Sequence, residues 1–545
     1  MMQSETIVKR FRQLQAQRKN LDTKLQDIDH FVVPGRGEFF NEMLTEHQTD
    51  WNRAHLYDST AVVAVKRLSS FIHGSLTSPF IKWFSLRYRD EDMNTDAAAK
   101  EWLEDTEERL WQAMIESDFD NNAAEMYLDI ASFGTALIMA EPENDIEWEG
   151  IDFTTLPVMD SYFEMGPDGL PYRVYRRLRY TRLELEERFP DMPDDITFED
   201  SEDSSVDAKI EVVFCVYYRD RNAVGEDSGL LKPEDRPVGY QYVMLNGNEM
   251  LEEGGFYEYP AMVIRWAKTA GSKWGNSPSL DLLPDIKQLN ELVAQTSEAR
   301  AKALDPPYVT TERGIIGDLD LEPGGLTVVT DMDELQPLVN ASRFEQADIE
   351  RERLQASIRD GFFLDQITYK DSPAMTATEV LERKQLMMQA SSTTLGRLKT
   401  DFLNPVLMIM FQLMMRQGQL KELPESAQGQ EMDIEYVSPM PRAQKAEQAM
   451  GIETWLGGIA NFVEIFPEMM DVVDTDQAIR TMADLRGVPA KCLKTDEEVE
   501  QVREARAEQQ QQMQEAQNIQ MGGEAMKAAG EGAQAAQAAG LESVA

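Results

Sequence analysis

The chain has 545 residues, 42% of them hydrophobic, which is enough for several cores and for two to four domains or subdomains. Its 98 acidic residues outnumber 53 basic ones, giving a net charge of -45 that favours solubility and argues against tight wrapping of nucleic acid, though not against DNA that slides past. Two distant cysteines, Cys215 and Cys492, argue against a disulfide framework and fit a reducing compartment.

The start of the chain, "MMQSETIVKRFRQLQAQRKN", lacks the apolar core of a signal peptide. Over the first 33 residues Val8, Phe11, Leu14, Leu21, Leu25, Ile28 and Phe31 recur at helical spacing, until Pro34-Gly35 stops the pattern. Further helices are expected over Ser59 to Leu76, over Ala97 to Glu116 with Asp96 as N-cap, and over Asn121 to Ile130, leading into the strand "FGTALIMAE". Residues 150 to 270 are β-branched and aromatic and read mostly as sheet. Asn246-Gly247 marks a hairpin there, and Gly254-Gly255 and Pro260 act as punctuation.

Helix returns at "NSPSLDLLPDIKQLNELVAQTSEARAKAL", with Ser277 as N-cap and Pro278 at the first helical position. Pro284 is expected to start a second segment with Ile286, Leu289, Val293 and Ala299 on one stripe, and Asp305-Pro306-Pro307 ends it. A short insert of strands and turns follows, and helix resumes from about Arg343 to Phe363, so two helices flank a β insert. Thr376 to Glu379 is a capping box that opens a helix from Ala377 to Asn404, roughly 42 Å long at 1.5 Å per residue. Pro405 should kink it before it continues to about Arg416. That region holds the most apolar run, Phe402 to Met415, which is too short for a membrane span of about 20 residues. The strand "MDIEYVSP", a helical bundle from Arg442 to about Asp496, an exposed Gln-rich helix and a Gly/Ala tail complete the chain.

The chemistry in the sequence is sparse. Four histidines without HExxH, and no CxxC, form no metal motif. "DEDMNTDAAAKE" approaches a calcium loop at Asp90, Asp92, Asn94 and Glu101, but Thr95 stands where glycine is needed, and an acidic loop capping the next helix is the simpler reading. There is no phosphate-cradling GxxxxGK[ST] or GxGxxG and no GxSxG elbow, so no cofactor is expected. The acids between Asp191 and Asp207 read as a solvated loop rather than a nuclease cluster. Arg173, Arg176, Arg177, Arg179 and Arg182, interleaved with tyrosine, either contact phosphates or pair with the chain's own acids, and the second reading is favoured. Without a catalytic constellation, a structural role outranks an enzymatic one.

Five stretches taken in order resemble one family. They are "HFVVPGRGEFF", "YDSTAVVAVKRLSSFIHGSLTSPFIKWFSL", "GGFYEYPAMVIRWAKTAGSKWGNSPSLDLLPDIKQLNEL", "TATEVLERKQ" and "IEYVSPMPRAQKAEQ". Together they resemble the portal, or head-to-tail connector, proteins of short-tailed tailed bacteriophages, over roughly residues 5 to 490. The resemblance implies an α+β portal-type subunit that assembles as a ring, with the N-terminal part of a wing at 1–277 and a stem helix at 278–304. It further implies a small β clip at 305–344, a second stem helix at 345–363 and a tunnel loop at 364–376. A wing spine helix and strand follow at 377–439, a helical crown at 440–500 and a C-terminal helix and tail at 501–545.

The implied role is the DNA channel at the unique capsid vertex. It includes nucleating the head, docking the terminase motor, passing and retaining double-stranded DNA during packaging and ejection, and attaching the tail. The implied partners are further copies of the chain, usually twelve, the terminase large subunit, a tail adaptor, the major capsid and scaffolding proteins, internal core proteins as a further candidate, and DNA, with no membrane. The resemblance places Tyr369, Lys370, Asp371 and Ser372 in the tunnel loop, where Lys370 is the candidate phosphate-facing charge and a surface turn with a solvated lysine is the alternative. Arg313, Asp318, Asp320 and Glu322 fall in the clip as candidates for docking the motor or adaptor. The competing reading is an acidic tail or internal-core structural protein of the virion, without a channel.

Overall fold

The computed structural model describes residues 3–36, 55–90, 94, 96–144, 147–167, 169–190, 209–221, 231–269, 271–304, 308–309, 336–337, 344–364, 392–424, 427, 432–436, 448–459, 474–486, 488, 492, 494 and 498–513. The chain is α+β and divides into two units, one of residues 1–83 and 108–421, the other of 84–107 and 422–545.

In the first unit, helix α1 (Ser4–Phe31) lies on a five-stranded antiparallel sheet of order β4 (Ser161–Met165), β5 (Pro171–Tyr180), β6 (Ile210–Tyr218), β7 (Val238–Met244) and β8 (Met250–Phe256). Period-2 alternation along β6 sorts the two faces. Val213, Cys215 and Tyr217 pack with Tyr162, Tyr175 and Val243 beneath Ile7, Val8, Phe11 and Leu14 of α1. Val212 faces the other way and packs with Met244, Leu251, Leu185 and Phe189, where the short helix α5 (Arg182–Arg188) sits. α5 begins with a complete capping box from Thr181 and Glu184.

Arg18 locks α1 to this sheet. It is 2% exposed, and its guanidinium donates to the carbonyls of Val158 (2.7 Å), Ser161 (2.8 Å) and Met159, to the Tyr162 hydroxyl (2.9 Å) and to Asp22 (2.6 Å). Burial pulls its pKa down, and the planar fork answers by satisfying several acceptors at once, which a lysine ammonium could not match.

A second sheet, of order β3 (Ile151–Leu156), β2 (Thr135–Pro142) and β9 (Ala261–Arg265), is covered by helix α4 (Phe119–Phe133), with helix α2 (Thr60–Leu76) packed on α4. Phe402 stacks on Phe119 at 5.8 Å and meets the edge of Tyr127 at 6.1 Å. In the second unit, β1 (Phe84–Tyr88) pairs antiparallel with β12 (Met432–Tyr436), and Glu107 accepts from Ser85 Oγ (2.7 Å) and the Leu86 N–H (2.8 Å). Glu107 belongs to helix α3 (Ala97–Glu116), within which the division between units falls. Asp96 caps α3 as expected, accepting from the Ala98 N–H at 2.9 Å. Among the described residues this unit also holds helices α10 (448–459), α11 (Thr475–Arg486) and α12 (498–513), and α12 is exposed at every position but half-buried Val499, as its Gln-rich composition predicts.

Two local expectations are corrected, and a third, at Pro405, gains its local geometry. Gly254-Gly255 is no turn but the interior of β8, because a Cβ on Gly254 would lie 2.3 Å from the Tyr240 ring and one on Gly255 2.4 Å from the Pro233 carbonyl. Pro284 does not start a new helix: α6 (Pro278–Leu304) runs straight through it. Pro405 follows a π turn, Lys399–Leu403, between α8 (Ser392–Leu398) and α9 (Asn404–Arg416), with Asn404 N–H bonded to the Lys399 carbonyl. The wider turn suits a residue that has no N–H to give and whose ring crowds the carbonyl four residues back. The hairpin at Asn246-Gly247 stands, with positive φ at Gly247 (88°) and Asn248 (60°).

One pH dependence follows from the second sheet. Glu141 on β2 stands opposite Asp152 on β3. Burial first, and then Asp152, push its carboxyl up to about 7 from 4.5, against the pull of Arg176 and Arg188. The folded chain therefore holds this proton more tightly than the unfolded one, and the associated stability is full below pH 4.5 and lost as pH rises through about 7. Glu141→Gln should gain in thermal midpoint over the wild type as the buffer moves from acid to alkaline; a constant difference across that range would contradict the assignment.

Candidate functional site

α6 and α7 (Phe344–Gly361) form an antiparallel hairpin, the two helices that flank the insert. Its base is built from backbone. α4 ends at Gly134, which takes the left-handed φ of 77° as its C′ residue and turns the chain into β2. The Gly134 carbonyl accepts the Trp266 N–H at 2.9 Å, and the Gly275 N–H donates to Thr135 Oγ1 at 2.9 Å. The two glycines are packed so closely that a Cβ on Gly275 would lie 2.0 Å from the Gly134 oxygen.

The adjoining serines cap two helices at once. Ser277 Oγ donates to the Ser132 carbonyl (2.7 Å) and Ser279 Oγ to the Ala131 carbonyl (3.0 Å), so the orphan acceptors at the end of α4 are satisfied by α6. The same Ser277 hydroxyl accepts the Leu280 N–H at 3.1 Å, capping α6 in the way its Ser-Pro start predicts. Both serines are fully buried. With its first turn held from outside, α6 tolerates the hydrogen bond that Pro284 removes.

Side chains fix the lower hairpin. Lys287 pairs with Asp27 of α1 at 2.5 Å. Buried Asn290 accepts the Tyr57 N–H at 2.7 Å and donates to the His55 carbonyl at 3.2 Å, and Gln355 donates to Asp58 at 2.7 Å. Between the helices, Ser357 donates to Asp285 at 3.1 Å and Arg300 to Asp348 at 2.8 Å, while Leu282 fills the space beside Gly361. Of the expected stripe on α6, Ile286 and Leu289 are buried and Val293 and Ala299 half-buried. Beyond α6, β10 (Tyr308–Val309) pairs antiparallel with β11 (Gln336–Pro337), joining the two ends of the insert. At the other end α7 stops at Gly361, and Phe363 adopts a positive φ of 59° between buried Phe362 and Leu364. A left-handed phenylalanine costs about 1–2 kcal/mol, which burial of its two neighbours offsets.

Several predicted site residues lie outside the described residues: Tyr369, Lys370, Asp371 and Ser372 of the loop after α7, Arg313, Asp318, Asp320 and Glu322 of the insert, the capping box at Thr376 and Glu379, and the acids from Asp191 to Asp207. Four of the five arginines of the β5–α5 cluster pair with acids of the chain itself. Arg173 pairs with Glu164 (3.0 Å), Arg177 with Asp160 (2.7 Å) and Glu211 (3.3 Å), Arg179 with Glu211 (3.5 Å) and Arg182 with Glu186 (2.9 Å). Asn94 closes a turn by donating to the Tyr88 and Asp90 carbonyls and accepting the Tyr88 N–H. Among the described residues no group of three or more His, Cys, Asp or Glu side chains could hold a metal ion, and no helix is long and apolar enough to cross a membrane. Sequence reasoning missed the glycine–serine clamp; its one signal is a glycine and two serines packed into "WGNSPS".

Residues 4–493 match the family described as "Bacteriophage head to tail connecting protein", and the chain belongs to that family. The portal protein of Salmonella phage epsilon15 is 27% identical over 517 residues, 91% of this chain and 90% of that protein. A probable portal protein of Bordetella phage BPP-1 is 24% identical over 509 residues, 90% of this chain and 89% of its own length. Among solved structures, one from the neck of an empty gene transfer agent particle aligns with 73% of this chain and 86% of its own at a TM-score of 0.36 and 11% identity, too loose a likeness to argue from.

The clamp makes its own prediction. Gly275→Ala forces backbone apart and should lower stability by about 3 kcal/mol or more. Gly74→Ala, on the open face of α2 where an added Cβ meets nothing within 4 Å, should raise stability by about 0.5–1 kcal/mol. Thermal or denaturant midpoints check both, and a neutral Gly275→Ala would remove the clamp from the account.

Proposed function

We propose that this chain is the portal protein of a short-tailed bacteriophage, a virion component at the capsid vertex that assembles as a ring at the head–tail junction. The observation that carries this reading is the family match over residues 4–493, together with two portal relatives aligned over about nine-tenths of both chains. A channel-free acidic tail or core protein is not favoured by relatives of that kind. The role is structural, and translocation is assigned to a separate ATPase, the terminase large subunit, docking on this ring.

In this reading α6 and α7 are the stem, residues 305–344 the clip and 364–376 the tunnel loop that meets DNA. Three observations support it: the antiparallel hairpin, the strand pair at the root of the insert, and the abrupt end of α7 at Phe363. A net charge of -45 per chain suits a sleeve that repels phosphates, with isolated cations such as Lys370 acting as weak, salt-dependent grips. The clip acids Asp318, Asp320 and Glu322 and the cation Arg313 are the proposed docking surface for motor and tail adaptor. Capsid, scaffolding and internal core proteins complete the proposed partner set.

Two experiments test this. Electron microscopy of the purified chain should show closed rings with a central channel, and a monodisperse monomer across concentration and salt would contradict the portal role. Lys370→Glu should reduce the fraction of DNA-filled heads while leaving rings intact; unchanged packaging would remove the lysine's role and leave the ring.

A further inference from the structure

Helix α1 carries charge of the opposite sign to the chain as a whole. From Lys9 to Lys24, six of 16 residues are Lys or Arg and only Asp22 is acidic, in a chain with 98 acidic and 53 basic residues. Two of the six are paired with acids, Arg10 with Glu164 and buried Arg18 with Asp22. The other four, Lys9, Arg12, Lys19 and Lys24, are exposed. Arg12 donates to the neutral Leu245 carbonyl at 2.9 Å and so keeps its charge. The three lysines have no ion pair or hydrogen bond among the described residues. The flanking acids of α1 stand at its ends: Glu5 in the first turn, and Asp27, which pairs with Lys287 at 2.5 Å.

The chemistry of this face selects its partner. Its remaining exposed positions are Gln13, Ala16, Gln17, Asn20 and Thr23, with no carboxylate and no large apolar side chain among them. All but Ala16 offer an N–H or O–H donor. A protein partner seats on an apolar core depleted of charge, and this side of α1 has none, because Ile7, Val8, Phe11 and Leu14 are already packed on the five-stranded sheet. Nucleic-acid interfaces are polar and strongly positive, and amide and hydroxyl donors beside Lys and Arg are the groups that hold phosphate oxygens. The four cations span roughly 22 Å along the helix at 1.5 Å per residue. Duplex DNA presents about one negative charge per 1.7 Å of its axis, dense enough to meet cations at any such spacing. The net charge of -45 does not forbid this contact. Exposed charges are screened beyond about 8 Å at physiological ionic strength, a distance well short of the length of the face.

We propose that the exposed face of α1 binds the phosphate backbone of duplex DNA, without regard to sequence, at a site other than the tunnel loop. Lys9, Arg12, Lys19 and Lys24 each meet a phosphate, and the amides of Gln13, Gln17 and Asn20 add hydrogen bonds between them. The duplex lies against the outer side of the helix and is not threaded through a channel to reach it. No rearrangement is needed, since α1 is held from its opposite side by the sheet and by Arg18. The contact belongs to the single chain and does not depend on the ring.

The test titrates the full chain against covalently closed circular duplex DNA, which cannot thread a closed ring. The wild type should hold the circle at low salt and release it as salt rises. Lys9→Gln, Lys19→Gln and Lys24→Gln together should weaken binding about tenfold or more and reduce the slope of log K against log salt by about 2 to 3. Arginine at the same three positions should keep both affinity and slope, and Lys370→Glu should change neither. Equal thermal midpoints establish that each variant is folded. A glutamine triple variant that binds like the wild type, or a wild type that does not hold the circle, would overturn the contact. Polyglutamate that displaces the DNA at equal charge would also overturn it, by making an acidic protein the occupant. Failure to form rings would contradict the portal role, and the same titration on single chains would still decide this contact.

Discussion

The approach of Gly275 to the Gly134 carbonyl is the constraint on which the rest of the first unit hangs. Only backbone fits between them, and the chain on either side is therefore fixed: α4 must end in a left-handed turn, β2 must start at once, and α6 must begin three residues past Gly275. The serines that follow then complete the join by capping two helix ends with two hydroxyls. Consequently α6 leaves the body from a rigid root. The hairpin depends on this root more than on intrinsic helix propensity, and the proline within α6 shows the order of importance.

Charge is managed by position. Where the fold buries ions it pairs them. Arg18 is enclosed by carbonyls and Asp22, Arg36 reaches Asp129, and Arg416 pairs with Glu258 beneath Tyr257. Burial raises the Asp129 carboxyl, and the adjoining Arg36 opposes that rise. Such pairs are costly to break because the surviving ion is left without a partner. Arg173, Arg177 and Arg179 of β5 are paired in the same way, and the chain keeps a large acidic excess. A chain of this composition repels DNA broadly, and any grip must come from a few cations at chosen places.

Much of this was legible because it is local. Ser277-Pro278 and Asp305-Pro306-Pro307 bracket α6, Asp96 caps α3, and helical spacing of Val8, Phe11, Leu14 and Ile28 marks α1. What was illegible is non-local. Phe84 pairs with Tyr436 from the far end of the chain, and nothing in either stretch announces the other. Gly254-Gly255 looks like a turn until the Tyr240 ring is seen lying over it, and the π turn before Pro405 leaves no mark in the sequence beyond the proline itself. The loop around Lys370 and the insert acids were named from family resemblance, and both lie outside the described residues.

Hydrogen exchange on the native chain tests the central claim, that the hairpin is rooted at the glycine–serine clamp, most directly. The account predicts that the amides of Trp266, Gly275 and Leu280 exchange only with global unfolding of their unit, while amides in the last turn of α6, Ala301 to Leu304, exchange orders of magnitude faster. Clamp amides exchanging as fast as that distal turn would contradict it.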